Sequence, residues 1–191
     1  RKKSITPLSA EKSQNLLAQL DIEIQDAKMY GKKTFRPMQR NKTMVSLLLS
    51  SGMRVNELVN LRMGDFQADL ARPEFGNYAL ITVAHGKGRK ARVVRMFNPQ
   101  IKDVLDWYID HVRPSFLKAT TKDASLLFLS ERGEQLCTEQ VRRVLDRVAK
   151  LAGIETRLTP HVLRHSYATQ MKEAIGPESL QKQLGHVHLS T

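Results

Sequence analysis

The segment around His161 carries side chains that could bind an anion together. Thr159-Pro160 marks the start of a helix, and His161 and Arg164 follow at positions i and i+3, on one face of its first turns. A helix N-terminus attracts negative charge, and imidazole and guanidinium groups donate hydrogen bonds to phosphate oxygens. The segment therefore predicts a phosphate site. The structural alternative is a capping histidine beside an exposed arginine.

A zinc site is a second interpretation of the histidines. His161 and His165 have the i, i+4 spacing of a metal-binding helix, but the glutamate of an HExxH motif is missing and Arg164 would repel a cation. His186 and His188 lack a nearby cysteine or carboxylate partner. We therefore predict no metal site.

A second candidate segment is Ser51-Gly-Met-Arg-Val-Asn-Glu-Leu58. Gly52 ends a dense apolar run, and Arg54 stands where the next helix begins. Arg54 and Glu57 are three residues apart and share a helical face. An ordinary surface ion pair of little energetic value is the alternative interpretation.

Two further cations stand beside glycines. Lys87 lies between Gly86 and Gly88 at the predicted tip of a β-hairpin, where glycines allow a sharp turn and leave the ammonium free to reach a ligand. His186 follows Gly185, a predicted helix C-cap. Each could instead be a solvated side chain.

The elements that must position these residues are mostly helical. Ser9 is predicted to cap a first helix, residues 31–37 to form a loop, and the apolar run from Met44 to lead into the break at Gly52. Strands are predicted at 78–83, 91–96 and near 65–66. Helices are predicted at 55–61, 98–111, 138–151, 160–172 and 177–185. The predicted fold class is mostly α with a small three-stranded antiparallel β-sheet.

Charge points to a polyanionic partner. The 191 residues include 31 Lys and Arg against 19 Asp and Glu, a formal net charge of +12. No basic amphipathic helix with an aromatic face stands out, so nucleic acid is favoured over a membrane surface. No apolar run approaches the ~20 residues of a membrane span. The single cysteine excludes an intramolecular disulfide and predicts a reducing, cytoplasmic compartment.

Basic residues outside these segments are candidate DNA contacts, with a solvated basic face as the alternative. They are Arg36, Arg40, Lys42, Arg89, Lys90, Arg142, Arg143 and Arg147.

Together and in this order, the segments resemble the catalytic domain of the tyrosine recombinases, the phage-integrase and Xer-like site-specific recombinases. The first arginine box resembles residues 51–58, and the basic hairpin resembles Gly86-Lys-Gly-Arg-Lys-Ala-Arg-Val-Val94. The HxxR box is similar to His161-Val-Leu-Arg164, and the closing box matches Leu184-Gly-His186. The resemblance covers essentially the whole chain.

The resemblance implies a role for each residue. Arg54 and Arg164 would clamp the scissile phosphate, and His161 and His186 would donate hydrogen bonds to it. Lys87 would protonate the leaving 5′ oxygen. Glu57 would orient a neighbouring cation. The family uses no metal or other cofactor, acts on double-stranded DNA as a homotetramer, and would place the protein at the nucleoid in the cytoplasm.

One departure concerns the nucleophile. The family's attacking tyrosine stands about nine residues after the histidine of the closing box, which is about four residues beyond Thr191. The four tyrosines present are poor substitutes, because Tyr30 and Tyr108 resemble helix residues, Tyr78 begins a strand and Tyr167 resembles a packed core residue. We expect residues 1–8 to be an interdomain linker remnant and 9–191 a catalytic domain truncated before its nucleophile. The N-terminal core-binding domain is expected to be absent, and this fragment to be a monomer inactive for cleavage.

Two alternatives remain at this point. The first is a non-catalytic DNA-binding or regulatory relic of the same fold, which would not need the complete cationic set. The second, more distant, is a type IB topoisomerase-like enzyme that relaxes supercoils through the same chemistry.

Overall fold

The computed structural model describes residues 6–83 and 91–185, and within these ranges the chain forms seven α-helices around one small sheet. The helices are α1 (Ala10–Met29), α2 (Phe35–Ser51), α3 (Val55–Val59), α4 (Gln100–Trp107), α5 (Thr138–Leu151), α6 (Pro160–Ile175) and α7 (Pro177–Leu184). The strands are β1 (Phe66–Gln67), β2 (Leu80–Val83) and β3 (Arg92–Arg95). The predicted fold class is confirmed.

Helix α1 begins as its sequence predicts. The Ser9 hydroxyl accepts a hydrogen bond from the Lys12 backbone N–H at 3.2 Å, which caps the first turn. Leu16, Leu20 and Ile24 then recur at helical spacing and are buried against the rest of the domain.

Helix α2 begins earlier than predicted, because residues 35–37 are helical rather than part of a loop. Pro37 stands in the first turn, where its missing N–H would have no intrahelical partner. The helix ends at Gly52, whose φ of 61° lies in the left-handed region. A Cβ at Gly52 would lie 2.3 Å from Cδ1 of Tyr167 on α6, so only glycine allows this close approach.

The sheet is antiparallel throughout, in the order β1-β2-β3. Phe66 pairs with Ile81, and Ile81 pairs with Val94. Ile81, Val83 and Val94 are buried, so one face of the sheet contributes to the core. The segment that joins β2 to β3 lies outside the described residues.

Helix α5 packs against α1 and α3, and helix α6 packs against α2 and α7. Val141, Leu145 and Val148 bury one stripe of α5. The Thr159 hydroxyl accepts from the Val162 backbone N–H at 3.2 Å and so fixes the start of α6. Helix α7 packs against β3. Within the described ranges, no helix combines the length and apolarity that crossing a bilayer would demand.

Candidate active site

A cleft between α3, α5 and the start of α6 brings three of the predicted phosphate ligands together. Its volume is about 510 Å³, and Arg54, His161 and Arg164 all line it. Arg54 comes from the break after α2, whereas His161 and Arg164 come from the first turns of α6. Residues more than a hundred positions apart in the sequence therefore face one cavity.

Glu57 holds Arg54 in place. Its Oε1 accepts from a terminal nitrogen of Arg54 at 3.0 Å, and its Oε2 accepts from the Arg54 backbone N–H at 2.7 Å. Both the guanidinium and the start of α3 are thus fixed by one carboxylate. The Arg54 side chain remains 35% exposed, and Glu57 is buried behind it.

Arg92, on the inward face of β3, is a second partner of Glu57. Its two terminal nitrogens donate to Oε1 at 2.6 Å and Oε2 at 2.9 Å, which is a forked arginine–carboxylate pair. Its Nε donates to the carbonyl of Gln183 on α7 at 2.9 Å. Arg92 thereby joins β3, α3 and α7.

The environment of Glu57 keeps its carboxylate ionised. Burial by itself would raise the pKa of Glu57, but the hydrogen bonds from Arg92 and Arg54 outweigh burial and lower the pKa to about 2. Each carboxylate oxygen accepts two hydrogen bonds from these two arginines.

Arg164 is buried at the back of the cleft, with 9% of the residue exposed. One terminal nitrogen donates to the Gly52 carbonyl and the other to the Leu184 carbonyl, both at 2.6 Å. Burial, followed by repulsion from Arg54 and Arg92, lowers the pKa of Arg164 to about 10. The side chain therefore stays cationic at neutral pH.

The cluster carries more positive than negative charge. Among the described residues, Arg164 is repelled by Arg54 and Arg92 and attracted by the Glu57 carboxylate. Within this set of four described side chains, three positive charges less one negative charge leave an excess of two. Because the acceptors of Arg164 are neutral carbonyls, its charge is available to an anion in the cleft.

His161 occupies the second position of α6, is exposed and lines the same cavity. Backbone N–H groups of a first helical turn have no intrahelical partners, and the helix dipole favours negative charge there. The arrangement can bind a phosphate group and stabilise charge that develops on its oxygens.

The predicted DNA-contact residues of α5 are on the surface. Arg142 lines the cleft, and Arg143 and Arg147 are exposed on the same helix. Glu139 is within 3.4 Å of Arg142 and 3.8 Å of Arg143. These arginines remain candidate contacts.

The predicted contacts on α2 differ from one another. Arg40 is 4% exposed and donates to the Leu129 carbonyl at 2.8 Å and to Glu131 at 3.2 Å, so its burial argues against the predicted phosphate contact. Its guanidinium also stacks on Phe116 at 4.9 Å. Arg36 is half-buried, and Lys42 pairs with Asp21 outside the cleft.

Four of the predicted site residues lie outside the described residues, namely Lys87, Arg89, Lys90 and His186.

All four tyrosines are described, and none lines the cleft. Tyr78, Tyr108 and Tyr167 are buried, and Tyr30 is exposed just after α1. Burial raises the pKa of the Tyr167 phenol to about 12, against a hydrogen bond from Gln183. The core interpretation of Tyr167 is therefore confirmed.

Sequence reasoning missed two arginines. Arg157 lines the cleft and lies 3.8 Å from Asp146. Arg92 alternates with buried Val94 and Met96, and this period-two pattern could have identified it as an inward cation that needs a carboxylate. No comparable sequence pattern indicated Arg157, which stands two residues before Thr159, the N-cap of α6.

In the described part of the chain, no group of three or more histidine, cysteine or acidic side chains could hold a metal.

Known proteins are similar to this chain in sequence and in fold. A sequence model of the phage integrase family matches residues 23–191. The chain is 37% identical over 154 residues to the tyrosine recombinase XerC of Leptospira interrogans serogroup Icterohaemorrhagiae serovar copenhageni. That match covers 80% of this chain and 44% of XerC, so this chain spans about half the length of the curated relative.

Solved structures agree with the sequence comparison. The crystal structure of XerA recombinase superposes with a TM-score of 0.75 at 30% identity, covering 98% of this chain and 58% of XerA. XerH recombinase bound to its difH substrate, a pre-cleavage complex, has a TM-score of 0.72 at 26% identity and covers 96% of this chain and 48% of XerH. The resemblance inferred from the sequence motifs is confirmed, and the chain belongs to the phage integrase family of tyrosine recombinases.

Proposed function

We propose that this chain is the catalytic part of a site-specific DNA recombinase that cleaves and rejoins duplex DNA through a 3′-phosphotyrosyl intermediate. The observation that carries the proposal is the meeting of Arg54, His161 and Arg164 in one cleft with excess positive charge. Residues 9–191 would form the catalytic domain, and residues 1–8 a linker from a core-binding domain.

The reaction would exchange one phosphodiester bond for another. A tyrosine oxygen attacks the scissile phosphorus, the bond from phosphorus to the 5′ oxygen breaks, and the departing oxygen takes a proton from Lys87. A 5′ hydroxyl of a partner strand then attacks the phosphotyrosine and restores the tyrosine. The covalent intermediate conserves the bond energy, so no ATP is needed.

The cationic cluster would lower the barrier of both steps. Arg54 and Arg164 would donate to the non-bridging oxygens, whose charge grows in the transition state. His161 would bind the same phosphate at the start of α6 and assist removal of the tyrosine proton. Glu57 would hold Arg54. The arginines supply the positive charge that a metal ion supplies in other phosphoryl-transfer enzymes, so the proposal includes no cofactor.

Lys87 and His186 complete the proposed set by their sequence position. Lys87 precedes Arg92 by five residues, about 17 Å of fully extended chain at most, and Arg92 donates to the same carboxylate that holds Arg54. His186 follows Leu184 by two residues, and the Leu184 carbonyl accepts a hydrogen bond from Arg164. Both relations support the proposed roles.

Duplex DNA is the proposed partner, bound through phosphate contacts along α5 and the cleft. XerH has been captured on its difH substrate, which supports the same class of ligand for this chain. The longer protein would act as a homotetramer at the nucleoid in the cytoplasm, and the 191-residue chain alone would be a monomer. The attacking tyrosine is proposed to lie about four residues past Thr191 in that longer protein.

A second candidate function follows from the tyrosines. Because none of the four lines the cleft, the chain could serve as a DNA-binding relic of the same fold. The two functions differ in whether a covalent adduct forms.

The deciding experiment uses a nicked duplex substrate that traps the adduct. The full-length protein is expected to form a DNA–protein complex that survives denaturation, in EDTA as well as without it, whereas the 191-residue chain binds the duplex without an adduct. An EDTA-sensitive adduct would contradict the metal-free mechanism. Salt-dependent binding with no adduct from the full-length protein would establish the relic function instead.

A further inference from the structure

We propose that Arg92 is a positioning residue of this reaction, which acts on the phosphate-binding Arg54 through Glu57. This inference rests on the proposed function for its role in catalysis. Arg92 itself is not proposed to touch the DNA.

The contacts of Arg92 connect its own strand, β3, to two other segments, α3 and α7. Its fork on Glu57 joins β3 to α3, and its Nε joins β3 to the Gln183 carbonyl at the end of α7. Arg92 stands at the base of the strand that follows the Lys87 segment in sequence. With its side chain only 9% exposed, the guanidinium is enclosed by these partners.

Gln183 strengthens the same junction from the side of α7. Its amide oxygen accepts from the Arg95 backbone N–H at 2.9 Å, and its amide nitrogen donates to the Arg95 carbonyl at 2.7 Å. The side chain therefore pairs with β3 as a neighbouring strand would. The next residue, Leu184, presents its carbonyl to Arg164. The end of α7 therefore contacts β3 on one side and Arg164, which is proposed to bind phosphate, on the other.

Glu57 transmits the effect to Arg54 because the two arginines share its oxygens. Oε1 accepts from Arg92 at 2.6 Å and from Arg54 at 3.0 Å, so the shorter bond belongs to the residue outside the cleft. The hydrogen bond from Arg92 is the largest of the effects that oppose burial and lower the pKa of Glu57. Without Arg92, burial would favour the protonated form, and a neutral carboxyl would hold Arg54 less firmly.

The first test is the pKa of Glu57, followed by carbon-13 NMR of its labelled carboxyl in the 191-residue chain. The wild-type carboxyl is expected to titrate at about 2. In Arg92→Met the pKa is expected to rise above about 4, because burial is then no longer opposed by the forked hydrogen bonds from Arg92. Arg92→Lys keeps the charge and is expected to give an intermediate value. A Glu57 pKa that stays near 2 in Arg92→Met would overturn the proposal.

The matched control is Arg62→Met. Arg62 also pairs with a carboxylate, at 2.6 Å from Asp123, but its side chain is half exposed and lies outside the cleft lining. This variant is expected to change neither the Glu57 pKa nor cleavage by more than about two-fold.

The second test is a double-mutant cycle on single-turnover cleavage by the full-length protein. Arg92→Met is expected to slow cleavage about 100-fold, as small misplacements of binding groups do. Glu57→Gln combined with Arg92→Met is expected to be no slower than Glu57→Gln alone, within about three-fold, since Arg92 acts through Glu57. Arg92→Lys is expected to recover part of the rate.

The outcomes separate this inference from the function on which it rests. Losses that multiply in the double variant would show that Arg92 has only an independent structural role and would overturn the positioning assignment. If the wild-type full-length protein forms no adduct, the proposed function fails, whereas the Glu57 pKa test still decides whether Arg92 holds the carboxylate.

Discussion

Two groups of arginines in this molecule have different partners and different surroundings. Arg54, Arg92 and Arg164 gather around one carboxylate at the cleft, and Arg54 and Arg164 line that cavity. Arg40 and Arg113 are buried against the segment that contains Leu126 and Leu129, whose carbonyls accept their hydrogen bonds. Neither of these two lines the cleft.

The comparison teaches that burial alone does not identify a functional arginine. Arg164 and Arg113 both donate to backbone carbonyls, and burial lowers the pKa of each. The two arginines differ in the surroundings of their guanidinium groups. Arg164 faces a cavity and other cations, so it can bind an anion, whereas Arg113 and Arg40 fasten loops to the core. Access to a cavity with excess positive charge is the distinguishing property.

The largest expected effect comes from the cleft group. Arg164→Ala in the full-length protein is expected to lower the rate of adduct formation about 10³-fold, because it removes a donor to the charge that develops on the phosphate. Non-specific duplex binding is expected to stay within a few-fold, since most phosphate contacts remain. Single-turnover cleavage and a binding titration measure the two quantities. Cleavage that persists within a few-fold would place Arg164 with the structural arginines.

Substitution of Arg40, which belongs to the group outside the cleft, is expected to lower stability and to leave DNA binding unchanged. Arg40→Met is expected to lower the free energy of unfolding by about 2 kcal/mol, because the Leu129 carbonyl loses its buried donor. Duplex affinity and its salt dependence are expected to be unchanged. Urea unfolding and binding of the folded variant test both statements. A shallower salt dependence would mean that Arg40 contacts DNA after all.

The smallest effects on DNA binding are expected for the exposed arginines of α5. Arg147→Ala is expected to weaken duplex binding a few-fold and to reduce the slope of log affinity against log salt by about 0.9, the loss of one phosphate contact. Stability is expected to change by less than about 0.5 kcal/mol. Binding titrations between low and moderate salt measure the slope. An unchanged slope would leave Arg147 as a solvated surface residue.

The sequence predicted the elements well where local signals agree. Ser9 caps α1, Gly52 ends α2, Thr159 caps α6, and the strands follow the alternating pattern. The predicted loop over residues 31–37 was wrong at its end, because residues 35–37 are helical and the first turn of a helix tolerates Pro37. Among the contact candidates, the sequence did not reveal that Arg40 is buried, because net charge and residue type contain no information on burial.

The sequence by itself determined the fold class and the basic character, and it supplied Arg54, Glu57, His161 and Arg164 as candidate site residues, because residue chemistry and the order of the motifs carry that information. Only the tertiary structure decided which cations share a cavity and which are fastened to backbone carbonyls. It also revealed Arg92 and Gln183, whose partners are 35 and 88 residues away along the chain. Such contacts depend on how α3, β3 and α7 pack together, and no local pattern specifies the partner of a buried charge.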